Sequence, residues 1–290
     1  MMSEEKKAGY IRGKIDTHVH SAPDVRSRKM TDLQLMEAAV ERGVRGIVIK
    51  SHVAPTAGRA AVMNEVCREK YGDSTDFQMF GGITLNRPVG GINPWAVETA
   101  LNMGGKIVWM PTIHSEHELS KKGESGAVIC TRNGKVTEEV KTVLGLIRDR
   151  DAALATSHLS PYDIFLVVEE ARTMGIKRII ISHPESNLVG LTVEEQLRLI
   201  RDYDVMLERC YRQPVGGGKY VSNLESNCAM VQEAGPENII IATDAGQPQN
   251  PYWYESFEES LAYLAEHGIS EEWIWQMAYK NPADMLGLEA

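Results

Sequence analysis

The sequence predicts an α/β fold, a closed (β/α)8 (TIM) barrel, and three observations carry that expectation. Short apolar β-type runs alternate with helical patterns along the chain, which implies parallel strands. The expected strand ends, near His20, His52, Asn86, His114, His158, His183, Cys210 and Asp244, recur about every 33 residues, close to the length of a βαβ unit. Several strands, such as Gly46-Ile47-Val48-Ile49 and Arg178-Ile179-Ile180-Ile181, are apolar on both faces, as a sheet buried under helices requires. Eight such units in 290 residues favour a closed barrel over an open doubly wound sheet, with residues 1–290 as one domain.

The first strand carries Asp16-Thr17-His18-Val19-His20, and Thr31-Asp32 caps a helix that runs to about Arg42 and stops at Gly43. The second strand leads to Lys50 and His52, and the third ends Thr84-Leu85-Asn86-Arg87. The fourth runs from Ile107 to His114. An insertion follows, in which Asn133-Gly134 between two β-like runs signals a small hairpin before a helix starting near Thr137. It falls on the side where strands deliver their C-terminal ends, as part of a lid or as a plain loop. The fifth strand ends at His158, and Ser160-Pro161 opens a helix over Tyr162–Met174 that stops at Gly175. The sixth strand ends at His183; the seventh holds Glu208 and Arg209. Gly216-Gly217-Gly218 makes the loop from Arg212 to Tyr220 mobile, either to close over a substrate or as a linker. Ser222 caps a helix ending at Gly235-Pro236, and the eighth strand ends at Asp244. Two more helices, about Glu255–Glu266 and Ser270–Tyr279, are expected outside the barrel.

Composition removes several classes. A formal net charge of -9 and no basic stripe argue against nucleic-acid binding. The longest apolar runs are strand-sized, so no membrane span is expected. Met1–Lys7 is polar, which points to a cytoplasmic location. Cys67, Cys130, Cys210 and Cys228 are far apart and read as reduced thiols. Self-association is an open alternative that no residue run identifies.

Strand ends gather at one face of such a barrel, which is where its chemistry resides. His18 and His20 share a strand face, and two imidazoles on a rigid strand can bind one metal ion. His158 and His183 end two other strands, and Asp244 ends the last. Four of the eight histidines at three strand ends make a metal site the expectation. Asp16, two residues before His18, is expected on the same face, orienting a histidine; a hydrogen-bonded core carboxyl is the competing reading.

This pattern resembles the amidohydrolase superfamily of metal-dependent hydrolases: HxH on strand one, single histidines on strands five and six, aspartate on strand eight. The tail Asn281-Pro282-Ala283-Asp284-Met285-Leu286-Gly287-Leu288 is similar to a segment that closes many members. The resemblance implies His18, His20, His158, His183 and Asp244 as ligands of one or two divalent ions, with zinc first and iron or manganese as alternatives. It implies Asp244 as general base, and Asp244 and His183 are the catalytic candidates. A bound divalent ion lowers the pKa of its water to about 7. Strands three and four depart from the family, because neither offers the bridging glutamate or lysine of two-metal members. Lys50 could bridge if carboxylated, with His52 on its face, or bind a substrate anion as an ammonium; the anion role is favoured. Glu116, just past strand four, is a further candidate that solvation would explain as well.

Arg87, His114, Glu208 and Arg212 complete the set of bridging or substrate-binding candidates, and Lys50, Arg87 and Arg212 around one opening suggest a carboxylate or phosphate on the substrate. His117 is expected at the same opening or on the surface. The expected function is hydrolysis of an amide, lactone or ester bond in a small, anionic molecule. The alternatives are a mononuclear decarboxylase or hydratase of a small acid and, in another class, a non-catalytic ligand-binding barrel.

Overall fold

The computed structural model describes residues 9–288, so the reading of Met1–Lys7 lies outside the described residues. β1 (Ile15–His20), β2 (Gly46–Lys50) and β3 (Gln78–Phe80) form one parallel sheet in that order. β4 (Gly82–Thr84) and β5 (Ile107–Trp109) begin a second sheet. An antiparallel hairpin, β6 (Thr131–Arg132) and β7 (Lys135–Val136), comes next in the chain. The second sheet then continues through β8 (Ala153–Ala155), β9 (Ile179–Ser182) and β10 (Met206–Arg209). A second antiparallel hairpin, β11 (Arg212–Gly216) and β12 (Lys219–Ser222), precedes its last strand, β13 (Ile239–Ile241).

The two sheets meet at both edges. Gly81 alone separates β3 from β4, and its carbonyl accepts Lys106 N at 2.8 Å. At the other edge Val19 pairs in parallel with Ala245, Asp244 N donates to His18 O at 2.9 Å, and His20 N donates to Ala245 O at 2.8 Å.

Helices fill the intervals: α1 (Asp32–Glu41), α2 (Ala57–Tyr71), α3 (Pro94–Asn102), α4 (Glu116–Lys122), α5 (Glu138–Asp149) and α6 (Pro161–Thr173). α7 (Val193–Tyr203), α8 (Leu224–Ala234), α9 (Trp253–Glu266), α10 (Glu271–Trp275) and α11 (Asn281–Leu286) follow. Their starts are chemically marked. Thr31 and Gln34 form a capping box, and Ser160 accepts from Asp163 N with Pro161 in the first turn. Asn223, and not Ser222, precedes α8, because Ser222 ends β12. Among the described residues no helix is long and apolar enough to cross a membrane.

Strand alternation divides the core in two. Ile47, Ile49, Val108, Leu154, Ile179, Ile181, Ile239 and Ile241 pack outward against the helices. Val48, Phe80, Ile107, Trp109, Ala153, Ala155, Ile180 and Ile240 pack on one another on the inner face. The two expected last helices do pack in the outer layer, through Trp253, Phe257, Leu261, Leu264 and Ile274, whereas the tail beyond them reaches the inner face. α11 continues from α10 through a π-helical turn over Gln276–Lys280, and its Ala283, Met285 and Leu286 belong to the inner-face cluster. It covers the end opposite the strand C-termini.

Strands stop short of the predicted ends. β5 ends at Trp109 and not at His114, because Pro111 brings no amide to a ladder. Thr112 N and His114 N instead donate to the Asn86 side chain at 3.0 and 3.2 Å. His18 and His20 lie within β1, whereas His158, His183 and Asp244 sit in the turns just after their strands. Ser157, His183 and Asp244 hold φ of 54°, 31° and 50°, left-handed values that non-glycine residues adopt at a cost of about 1–3 kcal/mol. Gly246 shows what this turn demands: a Cβ there would lie 1.9 Å from His20 O.

Candidate metal centre

β1 and β13 bring three ligand atoms together. Asp244 Oδ1 lies 3.3 Å from His18 Nε2 and 3.1 Å from His20 Nε2. Donors bonded at about 2.0–2.1 Å to a tetrahedral ion stand roughly 3.3 Å apart, so this spacing suits one divalent ion. The His183 ring lies 5.8 Å from His18 and 5.0 Å from His158, centroid to centroid. Both imidazoles line the same cavity as the triad, so the five predicted ligands share one site.

Carboxylates set two of the imidazoles. His18 Nδ1 lies 3.0 Å from Glu208 Oε2, and Thr17 Oγ1 donates to Glu208 Oε1 at 2.7 Å. His158 Nδ1 lies 2.5 Å from Glu118 Oε2. An ionised carboxylate on Nδ1 fixes the tautomer that leaves Nε2 free for an ion. Burial pushes the Glu118 carboxyl up, but His158 and Lys122 more than offset this and hold it at about 2. Burial lowers the histidines: His158 falls, His183 falls well below its ordinary value, and His20 drops to about 3 with Arg28 adding to the effect. Neutral imidazoles are what an ion needs. Burial raises Asp244 as well, yet His18, His20 and His183 outweigh it and keep the group ionised.

The donor set fits a metal on a further count. The buried Nδ1 atoms of His20 and His183 have no hydrogen-bond partner among the described residues. Buried polar atoms left this way are rare and costly in a site that binds nothing.

Several candidates take other roles. Glu208 is a support for His18 and faces no substrate space. Lys50 stands at the floor, its Nζ 3.2 Å from His18 Nε2 and 5.3 Å from the centre of the Trp109 ring, and burial lowers its pKa. His52 stacks on His20 at 4.8 Å and bonds Thr112 Oγ1 at 2.8 Å. Arg87 is exposed in a short turn and lines a different groove, shared with Arg132 and Lys135 of the β6–β7 hairpin. That hairpin lines no part of the metal cavity. His114 does not line the cavity; its backbone N donates to Asn86 Oδ1 at 3.2 Å. Arg212 lies over the Tyr211 ring, outside the cavity lining. His117 bonds Val189 O, and Glu116 is exposed.

Asp16 is likewise corrected. A register irregularity between Asp16 and Val19 breaks the alternation of β1, so Asp16 does not continue the His18 face. It accepts from His18 N, Thr243 N, Thr243 Oγ1 and Trp253 Nε1, and touches no imidazole ring. Burial raises its carboxyl to about 6.

The cavity, about 340 Å³, also contains residues the sequence reading passed over: Arg26, Arg28, Glu118, Lys122, Tyr220 and Gln247. The glycine-rich segment is an ordered hairpin, and it contributes Pro214, Gly216 and Tyr220. Glu118 had a sequence signal. Ser115-Glu116-His117-Glu118 is a capping-box pattern marking a helix start, and Ser115 does accept from Glu118 N. The Glu118 carboxylate goes to His158 instead of the cap.

Solved structures share this architecture at low identity. An amidohydrolase from Pseudomonas aeruginosa aligns with a TM-score of 0.69 at 13% identity, covering 98% of both chains. The probable dipeptidase PvdM from Pseudomonas aeruginosa gives 0.69 at 11%, over 98% of this chain and 96% of its own. An organophosphorus hydrolase from Deinococcus radiodurans gives 0.58 at 16%, over 96% and 94%. The fold is thus that of amidohydrolase structures. No curated protein matches the chain in sequence. Residues 13–208 match a family described as of unknown function, DUF6282, a stretch that includes every ligand candidate except Asp244, and the chain belongs to that family.

Proposed function

We propose that this protein is a metal-dependent hydrolase that cleaves an amide, lactone or ester bond in a small molecule. The convergence of His18 Nε2, His20 Nε2 and Asp244 Oδ1 carries the reading. The likeness to an amidohydrolase, a probable dipeptidase and an organophosphorus hydrolase supports it. We read the two sheets as one eight-stranded barrel forming a single domain, with the β6–β7 hairpin as its insertion.

His18, His20, His158, His183 and Asp244 would hold the ion, zinc being the first choice for four imidazoles and one carboxylate. The ion would supply Lewis acidity and make water acidic near neutral pH. The chain's own contribution is positional and protolytic. Glu208 and Glu118 fix the tautomers of His18 and His158. Asp244, held ionised, accepts the proton of the attacking water and returns it to the leaving group. A cavity of about 340 Å³ is at the small end of ligand sites, which suits a small substrate. Four free, buried cysteines support a reducing, cytoplasmic setting.

One ion is favoured over two, because β5 and the turn after it (Trp109 to Thr112) offer no carboxylate to bridge. This keeps a mononuclear decarboxylase as the second reading; release of carbon dioxide would distinguish it. Metal analysis of protein purified without added metal tests the proposal. The wild type is expected to retain about one divalent ion per chain, and His18→Ala and Asp244→Asn to lose it. Absence of metal after reconstitution would overturn the reading, and two ions would give Lys50 the bridging role.

A further inference from the structure

We infer that the segment following β1 forms an anion subsite beside the metal ligands, and that the substrate carries a carboxylate which Arg26 and Arg28 receive. The inference rests on the metal-centre reading and adds the substrate class.

Arg26 and Arg28 both line the metal cavity. Arg28 is built into the protein: its side chain is 4% exposed, and Nε donates to Asp24 Oδ2 at 2.9 Å. Its Nη2 lies 2.8 Å from the same oxygen but off hydrogen-bond alignment, a buried donor with no acceptor among the described residues. A buried guanidinium donor left open costs stability, so the site calls for an acceptor from outside. Arg26 is exposed, and its guanidinium makes no ion pair or hydrogen bond among the described residues. Across the cavity, Tyr220 and Pro214 of the β11–β12 hairpin form a wall.

The charge balance decides which anion. Arg28 is offset by Asp24, and Lys122 by Glu118 at 2.6 Å. Among the described residues lining the cavity, Lys50 and Arg26 have no carboxylate in salt-bridge contact; Lys50 is buried on the floor beside His18, and Arg26 stands on the rim. On the rim side this leaves one unpaired positive charge, and planar forked donors with that charge suit a carboxylate better than a dianionic phosphate. The scissile group would lie at His18, His20 and Asp244, with the carboxylate toward the segment after β1.

Two hydroxamates test this on the zinc-loaded protein by calorimetry. Butanohydroxamate and succinate monohydroxamate share the metal-binding group and differ by a terminal carboxylate. Wild type is expected to bind the carboxylate compound tighter by about tenfold or more, the scale of a charge-assisted hydrogen bond. In Arg26→Ala and in Arg28→Gln that ratio should fall toward one, and Arg26→Lys should restore part of it. Arg26 is exposed, so its variant tests the idea even if Arg28→Gln fails to fold. Equal binding of the two compounds by wild type, or an unchanged ratio in Arg26→Ala, would overturn the subsite and leave the metal reading intact. Binding of neither compound would overturn the metal reading and the subsite with it. A phosphonate analogue that outcompetes the carboxylate would overturn the assignment of the anion.

Discussion

Glu208→Gln separates the electrostatic role of this carboxylate from its packing role. Glu208 accepts from Thr17 Oγ1 at 2.7 Å and pairs with His18 Nδ1 at 3.0 Å, with its side chain 1% exposed. Glutamine keeps the volume. Its carbonyl can take the His18 proton, and its NH2 can donate to the Thr17 hydroxyl, which rotates to accept. Both bonds survive, and only the negative charge behind the imidazole is lost. Losses of this kind weaken metal binding by roughly 10–100-fold, or about 1.4–2.7 kcal/mol. Stability of the metal-free protein should change little. Glu208→Ala is the contrast, because it strands two buried donors at about 1–3 kcal/mol each, so the metal-free protein should lose roughly 2–6 kcal/mol. Competition against a chelator of known affinity gives the first quantity, and urea unfolding of metal-free protein gives the second. Metal affinity in Glu208→Gln within about twofold of wild type would refute the idea that this carboxylate tunes His18.

Three further outcomes follow from other parts of the structure. Glu118→Gln should weaken metal binding by roughly 10–100-fold through His158, whereas Glu116→Gln, at an exposed position, should be neutral in the same chelator competition. Asp16→Asn should change the pH dependence of stability in metal-free protein. Burial raises this carboxyl from 3.8 to about 6, so its contribution is complete below 3.8 and is lost as pH rises through about 6. Stability of the variant relative to wild type should therefore improve by about 3 kcal/mol across that window, at 1.36 kcal/mol per pH unit; a flat difference would contradict it. Leu286→Ala should cost about 2–5 kcal/mol by emptying a site that is 1% exposed, with metal affinity unchanged; a silent variant in urea unfolding would show that α11 does not hold the inner core.

The ligand set was legible because histidine and aspartate at strand ends are informative only through their spacing, and strand alternation with a βαβ period is written in the apolar pattern. The supporting groups were less legible, for distinct physical reasons. Glu118 reaches His158 across 40 positions of chain, and nothing local pairs them. Alternation puts Asp16 on the His18 face, and the irregularity in β1 breaks that rule. Proximity to a strand end is the only sequence signal for Arg87, His114 and Arg212. None of the three lines the cavity, because a short turn, the Asn86 bonds or a hairpin sets the local backbone after each strand. Arg26 and Arg28 give no sequence signal, because a loop residue carries no periodicity to say which way it faces.

The helix α11 has an evolutionary consequence. It anchors the floor of the inner core from the end remote from the strand C-termini, while the segment after β1 and the β11–β12 hairpin bound the cavity at the other end. Mutations that exchange one substrate for another can accumulate in those two short stretches without touching the inner core. Selection for new chemistry and selection for persistence then act on separate ends of the same molecule. Members of this family are expected to diverge most between β1 and α1 and across the glycine turn of β11–β12, with the buried face of α11 held nearly constant.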